Sequence, residues 1–165
     1  MGEKTDANLK KAFQGEAEAY FRNRAFADQA DKEGYGQIAH MFRAIAEAEA
    51  VHCRNALKLR GIIKDTETNL TTAFERELMA KNDHYPGMIK QAEEEGVKPA
   101  AIIFARARDV EEMHAGIYKK ALDHLMEERQ TQYFICSVCG YVADGAIPDK
   151  CPVCEAAPEK FFEVK

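Results

Sequence analysis

The chain reads as a mainly α protein, a four-helix bundle followed by a small metal-binding domain of strands and loops. Three observations predict this. Residues 6 to 129 form four long stretches with few helix breakers, and each places a Glu in an otherwise apolar stripe. All the cysteines after Cys53 crowd into the tail as two C-x-x-C pairs. The 165 residues suffice for one domain of ordinary size plus a small one.

The four helical stretches run roughly over 6–33, 36–60, 70–95 and 99–129, separated by Gly34-Tyr35-Gly36, by Gly61, and by Gly96 with Pro99. Asp6 and Asn69 read as N-caps of the first and third. Pro86 lies inside the third, where it removes a backbone donor and should kink the helix. The connection from Gly61 to Asn69 can span about 30 Å when extended, which lets it run back along the bundle or simply turn. Glu128 to Gln132 reads as the link to a tail rich in Gly, Pro, Cys and aromatics.

Helices of a bundle bury residues at alternating steps of three and four. The resulting seams are Leu9, Phe13, Glu16, Tyr20, Asn23 and Ala27 in the first stretch, and Ile38, Phe42, Ile45, Glu49, His52, Ala56 and Leu59 in the second. The third begins Leu70, Phe74, Glu77. The fourth runs Ala100, Phe104, Ala107, Glu111, His114, Tyr118, Ala121 and Leu125. An ionised carboxylate taken out of water costs several kcal/mol unless it is paired. Four such groups converging in one core also repel one another. Two divalent cations cancel the charge of four carboxylates, and two imidazoles complete the shell. The order is Glu16, Glu49-x-x-His52, Glu77, Glu111-x-x-His114, which is the pattern of a carboxylate-bridged two-metal site. Glu49 follows Glu16 by 33 positions and Glu111 follows Glu77 by 34, as in a duplicated helix pair.

A single E-x-x-H on an acidic helix is commonplace, and the chain has 28 acidic residues. The metal reading rests on four glutamates in seam register. His40, His84 and His124 read as surface or packing residues, and Cys53 as a small half-buried helix residue.

Cys136, Cys139, Cys151 and Cys154 make two knuckles separated by eleven residues, the spacing of a tetrahedral thiolate site. Metal binding should supply much of this small domain's folding energy, with Tyr133, Phe134, Tyr141, Phe161 and Phe162 packing around it. Spacing alone admits zinc or iron. A one-electron iron centre makes functional sense beside a two-electron site, whereas zinc would be structural only.

The net charge of −5 and the scattered Lys and Arg argue against nucleic acid or an anionic membrane as partner. The opening MGEKTDANLK has no apolar secretory core, and no run approaches the ~18 apolar residues of a membrane span. A cytoplasmic location is expected, where clustered thiols bind metal more often than they pair.

The segments AFQGEAEAY, FRAIAEAEAVHCRNAL, EMHAGIYKKAL, CSVCGYV and CPVCEAAPEKF together resemble a rubrerythrin over essentially the whole length, the last two resembling rubredoxin. The resemblance implies a ferritin-like bundle (residues 1–129) with a di-iron site, and a rubredoxin-like iron domain (130–165). It implies a hydrogen peroxide reductase that protects against oxidative stress, drawing electrons from NAD(P)H through rubredoxin or a separate reductase. It also implies a head-to-tail homodimer in which one chain's tail serves the other's bundle. The helix beyond His114 would run about 15 residues, or about 22 Å, which points the same way unless the chain folds back.

Two positions depart from the family. The residue one turn after Glu77 is Ala80, where relatives usually carry the extra Glu that one iron exchanges with a His on oxidation. The metal near His52 is then expected to keep its imidazole in both redox states. Asn23 stands where a Tyr is usual, whereas Tyr85 is retained. Ala80 makes an O2-using ferroxidase or iron-handling protein the main rival, and a scaffold with a structural zinc ribbon is a third reading.

Overall fold

A computed structural model describes residues 1–124 and 131–164. Leu125 of the expected seam, the expected helix end and the first part of the expected link lie outside these. The chain divides into two compact units, Met1–Lys64 and Asp65–Lys165.

The first unit is a helical hairpin of α1 (Glu3–Lys32) and α2 (Gly36–Leu59). Gly34, at φ 84°, closes α1 in the left-handed conformation that only glycine adopts without strain, and Tyr35 N–H donates to the Ala30 carbonyl at 2.8 Å. The helices meet through alanines. Ala27, Ala30 and Ala39 are buried with Phe42 against them, and Ala46 and Ala56 continue the stripe. The seam expected for α2 is therefore displaced: Ile38, Ile45 and Leu59 remain 45%, 40% and 66% exposed. Helix backbones approach closely over small side chains, and within one hairpin the larger residues fall to the flanks. Asp6 is not an N-cap, because α1 begins at Glu3. Its carboxylate instead accepts from Arg60 Nε at 3.0 Å and ties the hairpin's open end.

The second unit opens with α3 (Thr66–Met79). Its N-cap is Asp65 rather than Asn69, with the Asp65 carboxylate accepting from Thr68 N–H at 2.9 Å and from Thr68 Oγ1 at 2.8 Å. A π-helical turn, Ala80–His84, leads into α4 (Tyr85–Glu94), and α5 (Lys98–Asp123) packs along both helices. Pro86 thus acts as expected, though not by a simple kink. It has no N–H for the carbonyl one turn back, so it occupies the start of α4 while the widened turn before it absorbs the mismatch.

The tail is an antiparallel sheet of β1 (Tyr133–Cys136), β2 (Val142–Asp144) and β3 (Phe161–Val164) in the order β2-β1-β3. Its core is small, comprising Cys136, Ala143 and Cys151. Among the described residues no helix is long and apolar enough to cross a membrane.

Candidate metal centres

Each unit assembles three of the six expected carboxylate and imidazole donors. In the hairpin, α1 contributes Glu16 and α2 contributes Glu49 and His52, with ligand atoms of all three within 4.8 Å of one another. A spacing of three places Glu49 and His52 on one helix face. His52 Nδ1 lies 2.9 Å from Glu49 Oε2 and 3.6 Å from Glu16 Oε1. In the second unit, Glu77 of α3 meets Glu111 and His114 of α5 within the same 4.8 Å. There, His114 Nδ1 lies 3.1 Å from Glu111 Oε2 and 3.9 Å from Glu77 Oε1. The two triads repeat one another in chemistry and geometry.

The carboxylates are half-buried rather than sealed in a dry core as the sequence suggested, because a pair of helices leaves one side of each triad open. Their electrostatics still call for a cation. Burial, followed by the hydrogen bond and charge of Glu111, pushes Glu77 from 4.5 up to about 7. Tyr85 is held above its ordinary value by burial and then by Glu111, to which it is hydrogen-bonded. Tyr118 is raised by burial and then by Glu77 and Glu111. A divalent ion among these oxygens and Nδ1 would replace the proton that Glu77 otherwise needs.

The triads differ in their surroundings. His114 Nε2 donates to the carbonyl oxygen of Gly140 at 3.2 Å, which fixes the tautomer and leaves Nδ1 as the lone-pair donor towards the carboxylates. The His52 side chain is 58% exposed against 25% for His114, and among the described residues its Nε2 has no corresponding partner. The sequence marked Gly140 only as part of the CSVCGYV segment that resembles rubredoxin. The signal for it was its place directly after Cys139.

The tail brings its four thiols together. Cys136 and Cys154 sulfurs are 3.7 Å apart, and those of Cys139 and Cys151 are 3.5 Å apart. A tetrahedron with metal–sulfur bonds of about 2.3 Å has edges of about 3.8 Å, so the cage fits such an ion. Each knuckle turns through a left-handed residue, Gly140 in the first and Glu155 (φ 58°) in the second. Burial raises the Cys136 thiol, but the amides of Val138 and Cys139 and the neighbouring thiols outweigh it and bring the group below its ordinary value. Cys139 and Cys154 are pushed up, chiefly by burial. The cage thus stabilises one thiolate readily and needs a metal to hold four.

His40, His84 and His124 are exposed and outside both triads. Cys53 is half-buried on α2, with Sγ 3.8 Å from the Phe13 carbonyl oxygen. Ala80 begins the π turn and offers no donor.

The rubrerythrin family model matches residues 7–122, and a model described as the rubredoxin-like domain of rubrerythrin matches 134–162. The chain is 35% identical to a rubrerythrin of Porphyromonas gingivalis, over 98% of this chain and 90% of the relative. It is 33% identical to nigerythrin of Nitratidesulfovibrio vulgaris, over 93% of this chain and 83% of that protein. A solved structure of nigerythrin in its partially reduced state aligns with a TM-score of 0.60 at 31% identity, covering 99% of this chain and 88% of its own.

Proposed function

The chain belongs to the rubrerythrin family, a di-iron and rubredoxin-like oxidoreductase, and on that premise we propose that it reduces hydrogen peroxide to water by two electrons. The observation that carries this reading is the coexistence of two matching Glu/Glu/His triads with a four-thiol cage in one chain. In this reading Glu16, Glu49, His52, Glu77, Glu111 and His114 together hold two irons, and Cys136, Cys139, Cys151 and Cys154 hold a third. Iron bound there supplies the electrons and the Lewis acidity for cleaving an O–O bond.

The side chains then have separate tasks. The four glutamates set the charge of the site, and the two imidazoles supply nitrogen donors from opposite triads. Two protons must be delivered for two waters to leave. Tyr85, hydrogen-bonded to Glu111, and Tyr118, facing Glu77, hold hydroxyl protons beside the second triad. Iron held by the four cysteines would supply electrons one at a time, drawn from rubredoxin or an NAD(P)H-dependent reductase in the cytoplasm as part of a defence against oxidative stress. The domains fall at 1–129 and 130–165. A head-to-tail homodimer, in which one chain's tail serves the other's bundle, belongs to this reading.

Ala80 favours a second reading, an O2-driven ferroxidase, since the site lacks the extra carboxylate usual in relatives. Stopped-flow re-oxidation of the reduced protein separates the two. Stoichiometric peroxide should reoxidise it faster than oxygen does, and the reverse order would establish the ferroxidase. A red colour from the thiolate site identifies iron there, and a colourless site identifies zinc.

A further inference from the structure

We infer that Lys81 is a positioning residue of the second triad: its ion pair with Glu112 clamps the π turn Ala80–His84 to α5 and so seats the Tyr85 hydroxyl on Glu111. This rests on the reading above, in which Tyr85 holds a proton beside that triad, and it names what keeps the hydroxyl there.

The weak point lies in the backbone. Pro86 has no N–H, so it gives no hydrogen bond to the carbonyl of Asn82 or Lys81, four and five residues earlier. In the widened turn the Tyr85 N–H closes on the Ala80 carbonyl. The helix is thus short of a backbone bond directly beside Tyr85, and its own ladder does not hold the direction of that ring. Side chains reach across to α5 at both ends of the turn. At its start, Lys81 Nζ lies 2.6 Å from Glu112 Oε1. At its end, the Tyr85 ring packs beside Phe104 with centroids 6.5 Å apart, and the Tyr85 hydroxyl donates to Glu111. A single contact at Tyr85 would leave the turn free to rotate about it. A second one, four residues earlier, removes that freedom.

Lys81 also passes over a nearer partner. Glu77 stands four residues before it, the spacing at which Glu and Lys on one helix ordinarily pair. The ammonium crosses to Glu112 instead, which leaves the Glu77 oxygens to the triad. The Lys81 side chain is 29% exposed and that of Glu112 is 67% exposed. A pair so placed adds little to global stability. Its effect is local, because Glu112 is covalently next to Glu111 and the clamp therefore acts at the height of the triad.

The metal-free, full-length protein suffices for the test. Tyrosine carrying 13C at the ring carbon that bears the hydroxyl gives one NMR signal for each of the six tyrosines, and its shift follows the hydrogen bond of that hydroxyl. Loss of a signal in Tyr85→Phe identifies the residue. Lys81→Met keeps the apolar stem and removes the cation. It should move the Tyr85 signal towards that of exposed Tyr35, as the bonded population falls about two- to fivefold, with the Tyr20 signal unmoved. Glu112→Gln should give the same shift, and the double variant no more than either alone. Lys81→Arg should restore the wild-type position. Salt at about 1 M should shift the wild-type signal and leave that of Lys81→Met in place.

A Tyr85 signal that stays put in both single variants overturns the inference, and so do shifts that simply add in the double variant. Should Lys81→Met fail to fold, Glu112→Gln and the salt series decide by the same criterion. In peroxide-driven turnover, Lys81→Met should lower kcat about two- to fivefold at unchanged KM, with rescue by Lys81→Arg. An unchanged kcat would overturn Lys81 as a positioning residue of the reaction. Failure of peroxide to oxidise the wild-type protein at all would sink the peroxidase reading while leaving the NMR result standing.

Discussion

The carboxylates of Glu77 and Glu111 share a hydrogen bond across α3 and α5, and with no cation between them one must keep a proton. Burial is the larger cause and Glu111 the second, and together they hold Glu77 at about 7 against an ordinary 4.5. A folded-state value above the unfolded one means that the folded protein binds the extra proton between these two limits. Stability of the metal-free protein should therefore fall as pH rises from about 4.5 to about 7, by on the order of 3 kcal/mol at most. Divalent metal should abolish the trend and release protons on binding. Calorimetric melts at pH 5 and pH 8, with and without metal, check both. A metal-free protein more stable at pH 8 would contradict the geometry of this pair.

Replacing Cys151 by Ser removes a buried member of the cage. With so small a core beneath it, the tail depends on the metal for its fold. The red absorbance should disappear, and amide exchange in β1 to β3 should accelerate by roughly tenfold or more. The α1–α2 hairpin should keep its protection. Hydrogen-exchange mass spectrometry reads both regions in one experiment.

Gly140→Ala tests the left-handed knuckle. The added methyl would meet Val110 Cγ1 at an ordinary 3.9 Å, so crowding is not the difficulty. The cost lies in φ of 83°, and about 1–2 kcal/mol is expected. Chemical denaturation followed by the thiolate-iron colour measures it.

Asp65→Ala should cost about 1 kcal/mol by stripping the N-cap from α3, whereas Asn69→Ala should cost little through capping. Thermal melts of the two variants compare them directly.

The caps show where sequence reading reached its limit. Asp6, Asp65 and Asn69 all have side chains suited to capping, and local preference could not tell that Asp65 would meet Thr68 while Asp6 turned to Arg60, far away in sequence. Spacing of three within a helix is a local property, so Glu49 with His52 and Glu111 with His114 were legible without any tertiary knowledge. The thiol cage was legible for the same reason. The buried stripe of α2 was not, because Ala39 and Ala46 win their places by permitting close approach rather than by being apolar. The fold-back of the tail was hidden as well, since it depends on a backbone carbonyl, and carbonyls leave no mark in a sequence.

The π turn at Ala80–His84 has a consequence for how this protein can tolerate insertions and deletions. One residue on an α-helix corresponds to about 100° of rotation. The widened turn takes up one residue more than an ordinary α turn while the helix beyond it keeps its phase. A chain shorter by one position within 80–84 should therefore run from α3 into α4 as a regular helix with Tyr85 still turned to Glu111 and both triads in place. A residue added or removed within α3 itself, with no such turn to absorb it, would swing Tyr85 away from Glu111 by that angle.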